Sequence, residues 1–395
     1  MASWRETEIG NLCDTISDTY KGNNPEVILI NTSDVLEGKI LNSAPVENVN
    51  LKGQFKKTFK KEDILYSEIR PANRRYAFVD IDDTSLFIAS TKLMVLRPRK
   101  EIVNPRFLYA ILSSDFVINE FQHQAETRSG TFPQITFSSE VAPMKVMIPD
   151  FDTQAKIVSL IDAIQDKIDI NDRINKNLEE QAESLYNVMF VANAKPTWQQ
   201  GTLSDLGTIV AGGTPSKANE DFFAEKGIAW ITPKDLSIDK SKFISHGEID
   251  ISDLGYSKSS ATKMPEGTVL FSSRAPIGYI AIAANEVTTN QGFKSVVPKS
   301  EMGTAFVYYF LKQATPIIEG MASGSTFKEI SGSGMKAVPA IIPDEESVQR
   351  FNEFCQPIFS KQRALEDENK RLAALRDAML PKLMSGEIDV SEVEI

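Results

Sequence analysis

From Gln154 to about Phe190 the chain carries an uninterrupted heptad stripe, the feature that most narrows what it can fold into. Ile161, Ile164, Ile168, Asn171, Asn175, Leu178, Ala182, Leu185 and Met189 follow one another at alternating steps of three and four. At 3.6 residues per turn this spacing puts all nine on one face of a helix, as in the seam of a coiled coil. Neither proline nor glycine breaks the run, so one long helix is predicted. The same spacing returns 190 residues later, in Phe351, Phe354, Ile358, Lys361, Leu365, Glu368, Leu372, Leu375 and Met379. A helix with one apolar stripe has to bury it against something else. Two such helices, each preceded by about 150 residues of mixed sequence, predict a chain built twice.

The intervening regions correspond in order. Each opens on tryptophan, Trp4 and Trp198. The strand-like Ile64-Leu65-Tyr66-Ser67 matches Val269-Leu270-Phe271-Ser272, and each leads into a turn bearing Arg and Pro, Arg70-Pro71 and Arg274-Ala275-Pro276. Further β-rich runs end at Pro98 and Pro298, amphipathic helices begin near Phe107 and Phe306, and a Ser/Gly/Thr loop ends at Phe132 and Phe327. The predicted organisation is a mixed α/β domain at 1–150, a helix at 151–192, a second domain at 193–343, and a second helix with its tail at 344–395.

A length of 395 residues fits about two domains with connecting helices. No apolar run approaches the ~20 residues of a membrane span, and the N-terminus lacks the pattern of a signal peptide. Cys13 and Cys355 suggest neither a disulfide nor a zinc framework, so a cytoplasmic protein with no membrane association is expected. The net charge of −11 is concentrated in the two helical segments, at −4 over 151–190 and −5 over 344–395, which leaves the two larger regions near neutral. Net charge therefore does not exclude a nucleic-acid partner.

Polar residues interrupt both seams, at Asn171 and Asn175 and at Lys361 and Glu368. Such sites are either partly solvated or select a register. Antiparallel pairing with residue numbers summing to about 543 would set Ile164 against Met379, Leu178 against Leu365 and Asn175 against Glu368.

Catalytic motifs are weak. Asn104-Pro105-Arg106-Phe107 approaches the Asn-Pro-Pro-aromatic motif of adenine methyltransferases but lacks its second proline, and it reads as a helix start. The stretch Gly320 to Thr326 has phosphate-loop glycines without the lysine, and reads as a loop. His123 and His246 have no metal-spaced companions, and Asp63 and Glu68 read as solvating a strand end. The basic side chains are more informative. Lys52, Lys56, Lys57, Lys60 and Lys61 surround Phe55 and Phe59, followed by Arg70, Asn73, Arg74, Arg75 and Lys92. The second half offers Lys258, Lys263, Arg274 and Lys294 near Tyr256, Tyr279, Asn290 and Gln291, with Lys217 and Lys234 as further candidates. Arg128 flanks the loop holding Ser129 and Thr131, and Lys328 flanks the one holding Ser325 and Thr326. Lys and Arg neutralise phosphates, and Arg, Asn and Gln can pair bidentately with base edges. A run of charge is also what a solvated face looks like; recurrence in both halves favours DNA.

Gly212-Gly213-Thr214-Pro215-Ser216-Lys217, followed by Ile228-Ala229-Trp230-Ile231-Thr232-Pro233-Lys234-Asp235-Leu236, resembles the opening of a target-recognition domain in specificity subunits of type I restriction-modification systems. Leu270 to Gly278 and Thr289-Asn290-Gln291-Gly292-Phe293 continue the likeness, and Leu380 to Ile388 resembles the family's close of its second helix. The first half departs from the pattern, with Lys21-Gly22-Asn23-Asn24-Pro25 near the place of the glycine motif and a differently spaced Arg-Pro turn.

The resemblance implies an α+β fold with two similar recognition domains in pseudo-twofold arrangement, separated by an antiparallel coiled coil. It implies a non-catalytic reader of a bipartite site in double-stranded DNA. This reader would also scaffold two methyltransferase subunits and restriction-translocase subunits. Adenine-N6 methylation and ATP-dependent cleavage would belong to that complex, with S-adenosylmethionine, ATP and Mg2+ held by the partners and no cofactor or metal in this chain. The spacer would be built by Ile161, Ile164, Ile168, Asn175, Leu178, Leu185, Phe354, Ile358, Leu365, Glu368, Leu372 and Leu375. The alternative is a duplicated coiled-coil assembly scaffold without DNA specificity. An enzyme acting alone would need donor, metal or nucleophile constellations that the sequence does not display.

Overall fold

The computed structural model describes residues 3–49, 51, 53–128, 132–324, 328–391 and 393. Lys52 and the loop residues Ser129, Gly130, Thr131, Ser325, Thr326 and Phe327 lie outside the described residues. The chain divides into two compact units, Met1–Lys167 with Leu372–Ile395, and Ile168–Arg371. The long helices Phe151–Tyr186 and Glu345–Ser385 each contribute to both units.

In the first unit, strand Arg5–Glu8 pairs antiparallel with Lys145–Ile148 and ties the two ends of the domain together. An antiparallel sheet follows in the order Cys13–Ile16, Leu93–Pro98, Ile64–Ser67, Tyr76–Phe78. Its central strands are apolar over Ile64–Tyr66 and Leu93–Leu96 because both faces are covered there, and alternate residues serve opposite cores. Ile64, Tyr66, Met94 and Leu96 face a cluster with Phe107, Leu108 and Phe121. Leu65, Leu93 and Val95 face Ile28, Ile30 and Phe59 on the other side. The second core is shared with a smaller sheet in which Glu26–Ile30 and Phe87–Ser90 run parallel. Asn104 does start a helix: its Oδ1 accepts from the backbone N–H groups of Arg106 and Phe107, with Pro105 in the first position of Pro105–Leu112.

The second unit repeats this layering. Gln199–Thr202 pairs with Pro339–Ile342, and a five-stranded sheet runs Gly207–Ala211, Lys294–Pro298, Val269–Ser273, Ile277–Ala283, Phe243–Ile244. Val269, Phe271 and Val296 pack towards Phe306 and Tyr309, whereas Leu270 and Phe293 pack towards Ile231, Leu236 and Ile244. A short parallel pair, Trp230–Ile231 with Thr288–Thr289, stands where the first unit has its own parallel pair. The helix Gly303–Met321 includes Gly320 and Met321, so the stretch read as a loop begins as helix.

Of the predicted seam positions of the first helix, Ile164, Asn171 and Ala182 are buried, and Ile157, one turn before the predicted start, is buried too. From Ala182 the buried face continues at steps of four through Tyr186 to Phe190, one residue beyond the predicted Leu185 and Met189, and past Tyr186 the backbone passes into a π-helical turn, Asn187–Ala192. The second helix corrects the prediction. Phe351, Ile358 and Leu365 point inward, but Phe354 and Leu375 are 42% and 48% exposed, and Cys355 and Gln362 are buried. The register differs by about one turn as well. Within the second unit Asn171, rather than Asn175, donates to Glu368 (3.0 Å) and also to Asn369 (2.9 Å). The Asn175 carbonyl accepts from Gln362 at 3.2 Å. Within the first unit Arg376 donates to Gln165 at 2.6 Å. Within the second unit the later residue of the first helix, Asn175, thus meets the earlier residue of the second, Gln362, and Asn171 meets Glu368. Asp63 is a further correction: it does not solvate a strand end but is buried in a bidentate pair with Arg97, both contacts at 2.8 Å.

Candidate nucleic-acid interface

In the second unit, Lys217, Lys234, Arg274, Asn290 and Gln291 line one cleft of about 510 Å³, together with Thr214, Trp230 and Glu248. The glycine pair explains how these segments meet. A Cβ on Gly212 would lie 1.8 Å from the Asn290 carbonyl oxygen, and one on Gly213 would lie 2.3 Å from the Ala261 nitrogen. The Trp230 indole N–H donates to the Gly213 carbonyl at 3.0 Å, fixing one wall. On another wall Asp235 caps its own helix, accepting from Thr232 N–H and hydroxyl at 2.7 Å each, and holds Glu248 N–H at 2.9 Å. Asp235 is therefore structural, and Lys234 beside it is exposed and paired with Glu248.

Arg274 and Lys294 converge on Glu329, at 3.4 and 3.5 Å. Asn290 accepts from Gly292 N–H through its Oδ1 at 2.8 Å, and the adjacent Gln291 side chain is exposed. Tyr279 does not line the cleft; it lies under the Lys240 ammonium at 5.3 Å. Lys328 is exposed next to Glu329.

Among the described residues of the first unit, the predicted ones are spread over a turn and a set of separate polar contacts. Arg70 and Asn73 are exposed on a turn whose backbone is left-handed at Arg70 (φ 46°) and at Arg74 (φ 52°). Each such residue costs about 1 kcal/mol or more, and outliers of this kind gather at binding sites. Arg70 N–H donates to the Pro133 carbonyl at 3.1 Å and Ala72 N–H to Gln122 at 3.0 Å, so the turn is held in place. Arg74 pairs with Asp115, and Arg75 donates to the Ser33 carbonyl at 3.0 Å. Lys92 lies between Glu68 (3.4 Å) and Gln134 (3.5 Å), Lys61 pairs with Asp82, and Arg128 pairs with Glu140 at 2.9 Å. Lys57 is turned inward onto the Leu93 carbonyl at 2.8 Å, and burial pulls its ammonium below the usual lysine range. Lys56 and Lys60 are exposed and carry no side-chain ion pair among the described residues.

The Arg-Pro turns also find their true correspondence. Ser273 N–H donates to Gly292 O at 2.7 Å, as Glu68 N–H does to Lys92 O at 3.0 Å. Arg70 therefore occupies the place of Ala275, which is left-handed too (φ 49°), and Arg274 occupies the place of Ile69. The two arginines are offset by one residue on a common frame. Sequence reading passed over Gln134 and Glu329, and over the buried Lys242. Nothing in the local pattern marks any of the three, because their partners lie 30 or more residues away. Among the described residues no group of three or more His, Cys, Asp or Glu side chains could hold a metal ion, and no helix is long and apolar enough to cross a membrane.

Residues 1–180 and 195–372 each match the type I restriction modification DNA specificity domain. The chain is 33% identical to the specificity subunit of the type I restriction enzyme HindI of Haemophilus influenzae, a match covering 98% of this chain and 100% of that protein. The MjaIX specificity subunit of Methanocaldococcus jannaschii is 39% identical over 156 residues, covering 39% of this chain and 36% of that one. The fold is similar to the crystal structure of a type I restriction-modification S subunit from M. genitalium, at 15% identity and TM-score 0.57, covering 97% of this chain and 96% of that one.

Proposed function

This chain belongs to the DNA-specificity subunits of type I restriction-modification systems, and on that premise we propose that its two domains each read one part of a split double-stranded DNA target. The carrying observation is one backbone frame used twice with different side chains: a left-handed residue before Pro71 and before Pro276, docked against the segment that follows the Ser/Gly/Thr loop. A common frame suits a common task at the duplex, and different side chains suit different sequences. Exposed Lys56, Lys60 and Arg70 would engage the first part of the target, with Lys92, Arg74, Arg75 and Arg128 exchanging their present partners for phosphates. The cleft of Lys217, Lys234, Arg274, Asn290 and Gln291, with Lys294, would engage the second.

The two long helices then act as a spacer, an antiparallel coil between domains related by a pseudo-twofold axis. A helix of 36 residues is about 54 Å long at 1.5 Å per residue, about one and a half turns of DNA. Their acidic surfaces suit protein partners better than DNA. These partners would be two methyltransferase subunits, joined by restriction-translocase subunits, in the cytoplasm. The chain contributes recognition and assembly, and the chemistry of adenine-N6 methylation and ATP-dependent cleavage, with S-adenosylmethionine, ATP and Mg2+, belongs to the partners.

Mapping methylated adenines in DNA from cells that carry the subunit with its methyltransferase tests this reading. A motif of two short specified blocks separated by a fixed unspecified gap is expected. A single contiguous block, or methylation without sequence preference, would overturn it.

A further inference from the structure

Both domains fasten one residue of the segment after the Ser/Gly/Thr loop to the strand end before the Arg-Pro turn. In the second domain Arg274 and Glu329 form an antiparallel bridge, and Ile330 N–H donates to Ser273 O at 3.1 Å. In the first, Ile69 and Gln134 form the same bridge, and Ile135 N–H donates to Glu68 O at 2.8 Å. The matching bonds make Gln134 the counterpart of Glu329. A basic group meets each side chain: Lys92 at 3.5 Å from Gln134 Oε1, and Arg274 Nη1 and Lys294 Nζ at 3.4 and 3.5 Å from the Glu329 oxygens. The position is thus fixed in backbone, differs in chemistry between the domains, and lies beside cations in both.

We propose that Glu329 and Gln134 are base-reading residues of their respective half-sites, Glu329 acting with Arg274 to select a G·C pair. This rests on the DNA-reading role proposed above. An ionised carboxylate only accepts hydrogen bonds, so in the major groove it can meet only an exocyclic amine, and Asp or Glu accepts characteristically from cytosine N4. Arg274 commits one N–H to Glu329 and keeps the rest of its five-donor fork for guanine O6 and N7. The two edges adjoin within one G·C pair, as the guanidinium and carboxylate adjoin here.

Other features of the cluster fit reading better than bracing. The contacts of Glu329 are longer than the 2.7–2.9 Å of a strong charge-assisted bond, and its side chain is 37% exposed. A carboxylate among phosphate-binding cations repels the backbone of every sequence, so it favours only a sequence that offers it a donor. Gln134 has both a donor and an acceptor on its amide, the set that pairs bidentately with adenine N6 and N7.

The test is methylated-motif sequencing with the full subunit and its methyltransferase, comparing wild type with Glu329→Gln and Gln134→Glu. Glu329→Gln is expected to lower the preference for one C·G position about 10- to 100-fold in favour of adenine, with the other half-site unchanged and affinity for random duplexes undiminished. Gln134→Glu should move one position of the other half-site away from adenine. If both variants keep the wild-type motif, or if Glu329→Gln weakens specific and random duplexes in parallel, the inference is wrong and the residue only braces Arg274. A wild-type subunit that shows no split motif would instead overturn the function proposed above and not this assignment alone.

Discussion

Lys242 is the best-buried cation of the second unit, with its side chain 6% exposed, and its surroundings allow an asymmetric prediction. Its ammonium pairs with Glu179, donates to Gln362 Oε1 at 2.7 Å, and lies 4.3 Å from the Phe359 ring centre, 4.9 Å from Tyr308 and 5.3 Å from Tyr309. The backbone N–H groups of Lys242 and Phe243 donate to Glu366 at 2.8 and 3.1 Å. One short segment of the domain is thus tied to both long helices. Replacing Lys242 by Met leaves Glu179 compensated, because Lys312 donates to it at 2.8 Å and Tyr309 at 2.9 Å. The thioether also suits the aromatic cage, and removing a buried ammonium relieves its desolvation, so a loss of about 1 kcal/mol or less is expected. Glu179→Gln strands Lys242 in that cage without its anion, at about 3–5 kcal/mol. The double variant should be more stable than Glu179→Gln alone, since it removes the stranded charge. Urea unfolding of the full chain, following the fluorescence of Trp198 and Trp230 in this unit against Trp4 in the other, measures these differences. The pH dependence has a fixed sign. Burial alone would raise the Glu179 carboxyl, but Lys242 and Lys312 overcome it and hold it below the usual range. Its stabilisation is therefore present above the unfolded value of about 4.3 and lost as pH falls through the lower folded value, where wild type and Glu179→Gln should converge. A Lys242→Met variant as unstable as Glu179→Gln, or an additive double variant, would refute this account.

Arg274→Ala should weaken recognition of one half-site and leave the other intact; equal loss at both, in a competition assay with the methyltransferase complex, would count against its place in the cleft. Lys56→Ala should lower affinity for any duplex and reduce the slope of log K against log salt by about 1, whereas Lys57→Ala should act chiefly on stability, because the Leu93 carbonyl loses its partner. Inserting one heptad into both long helices should preserve the seams and lengthen the unspecified gap in the methylated motif, and inserting two residues should break the seams; a gap indifferent to the heptad would remove the spacer role.

The duplication and the layering of each domain were legible because they rest on local signals. Alternating apolar strands, a proline-started helix at Pro105 and heptad steps all act within a few residues. The candidate site was legible only as residue types. Lys56 and Lys57 are neighbours of one composition, yet one is exposed and the other turns onto a carbonyl 36 residues away. The different spacing of Arg70-Pro71 and Arg274-Ala275-Pro276 was visible in the sequence, but whether the arginines or the prolines correspond was not, and the hydrogen bonds of the frame align the prolines.

The second helix shows most plainly why hydrophobicity misplaces an interface. Its stripe can be drawn through Phe354 and Leu375 or through Cys355, Gln362, Asn369 and Arg376, and both choices satisfy the three-four spacing with Phe351, Ile358, Leu365 and Leu372. Apolar preference favours the first choice; the structure takes the second. The reason lies on the opposing helix, which presents Asn171, Asn175 and Gln165 to its partner. Polar groups removed from water favour polar partners: Asn369 accepts from the Asn171 amide, Gln362 donates to the backbone carbonyl of Asn175 and Arg376 donates to Gln165, contacts that Phe354 and Leu375 could not make. Asn171 satisfies two acceptors at once, so sliding either strand of the pair by a turn would leave buried amides facing apolar side chains. Of the polar positions expected to select a register, Asn171, Asn175, Lys361 and Glu368, the structure pairs Asn171 with Glu368, and it adds Gln362, Asn369 and Arg376, which could not be read until their partners were known.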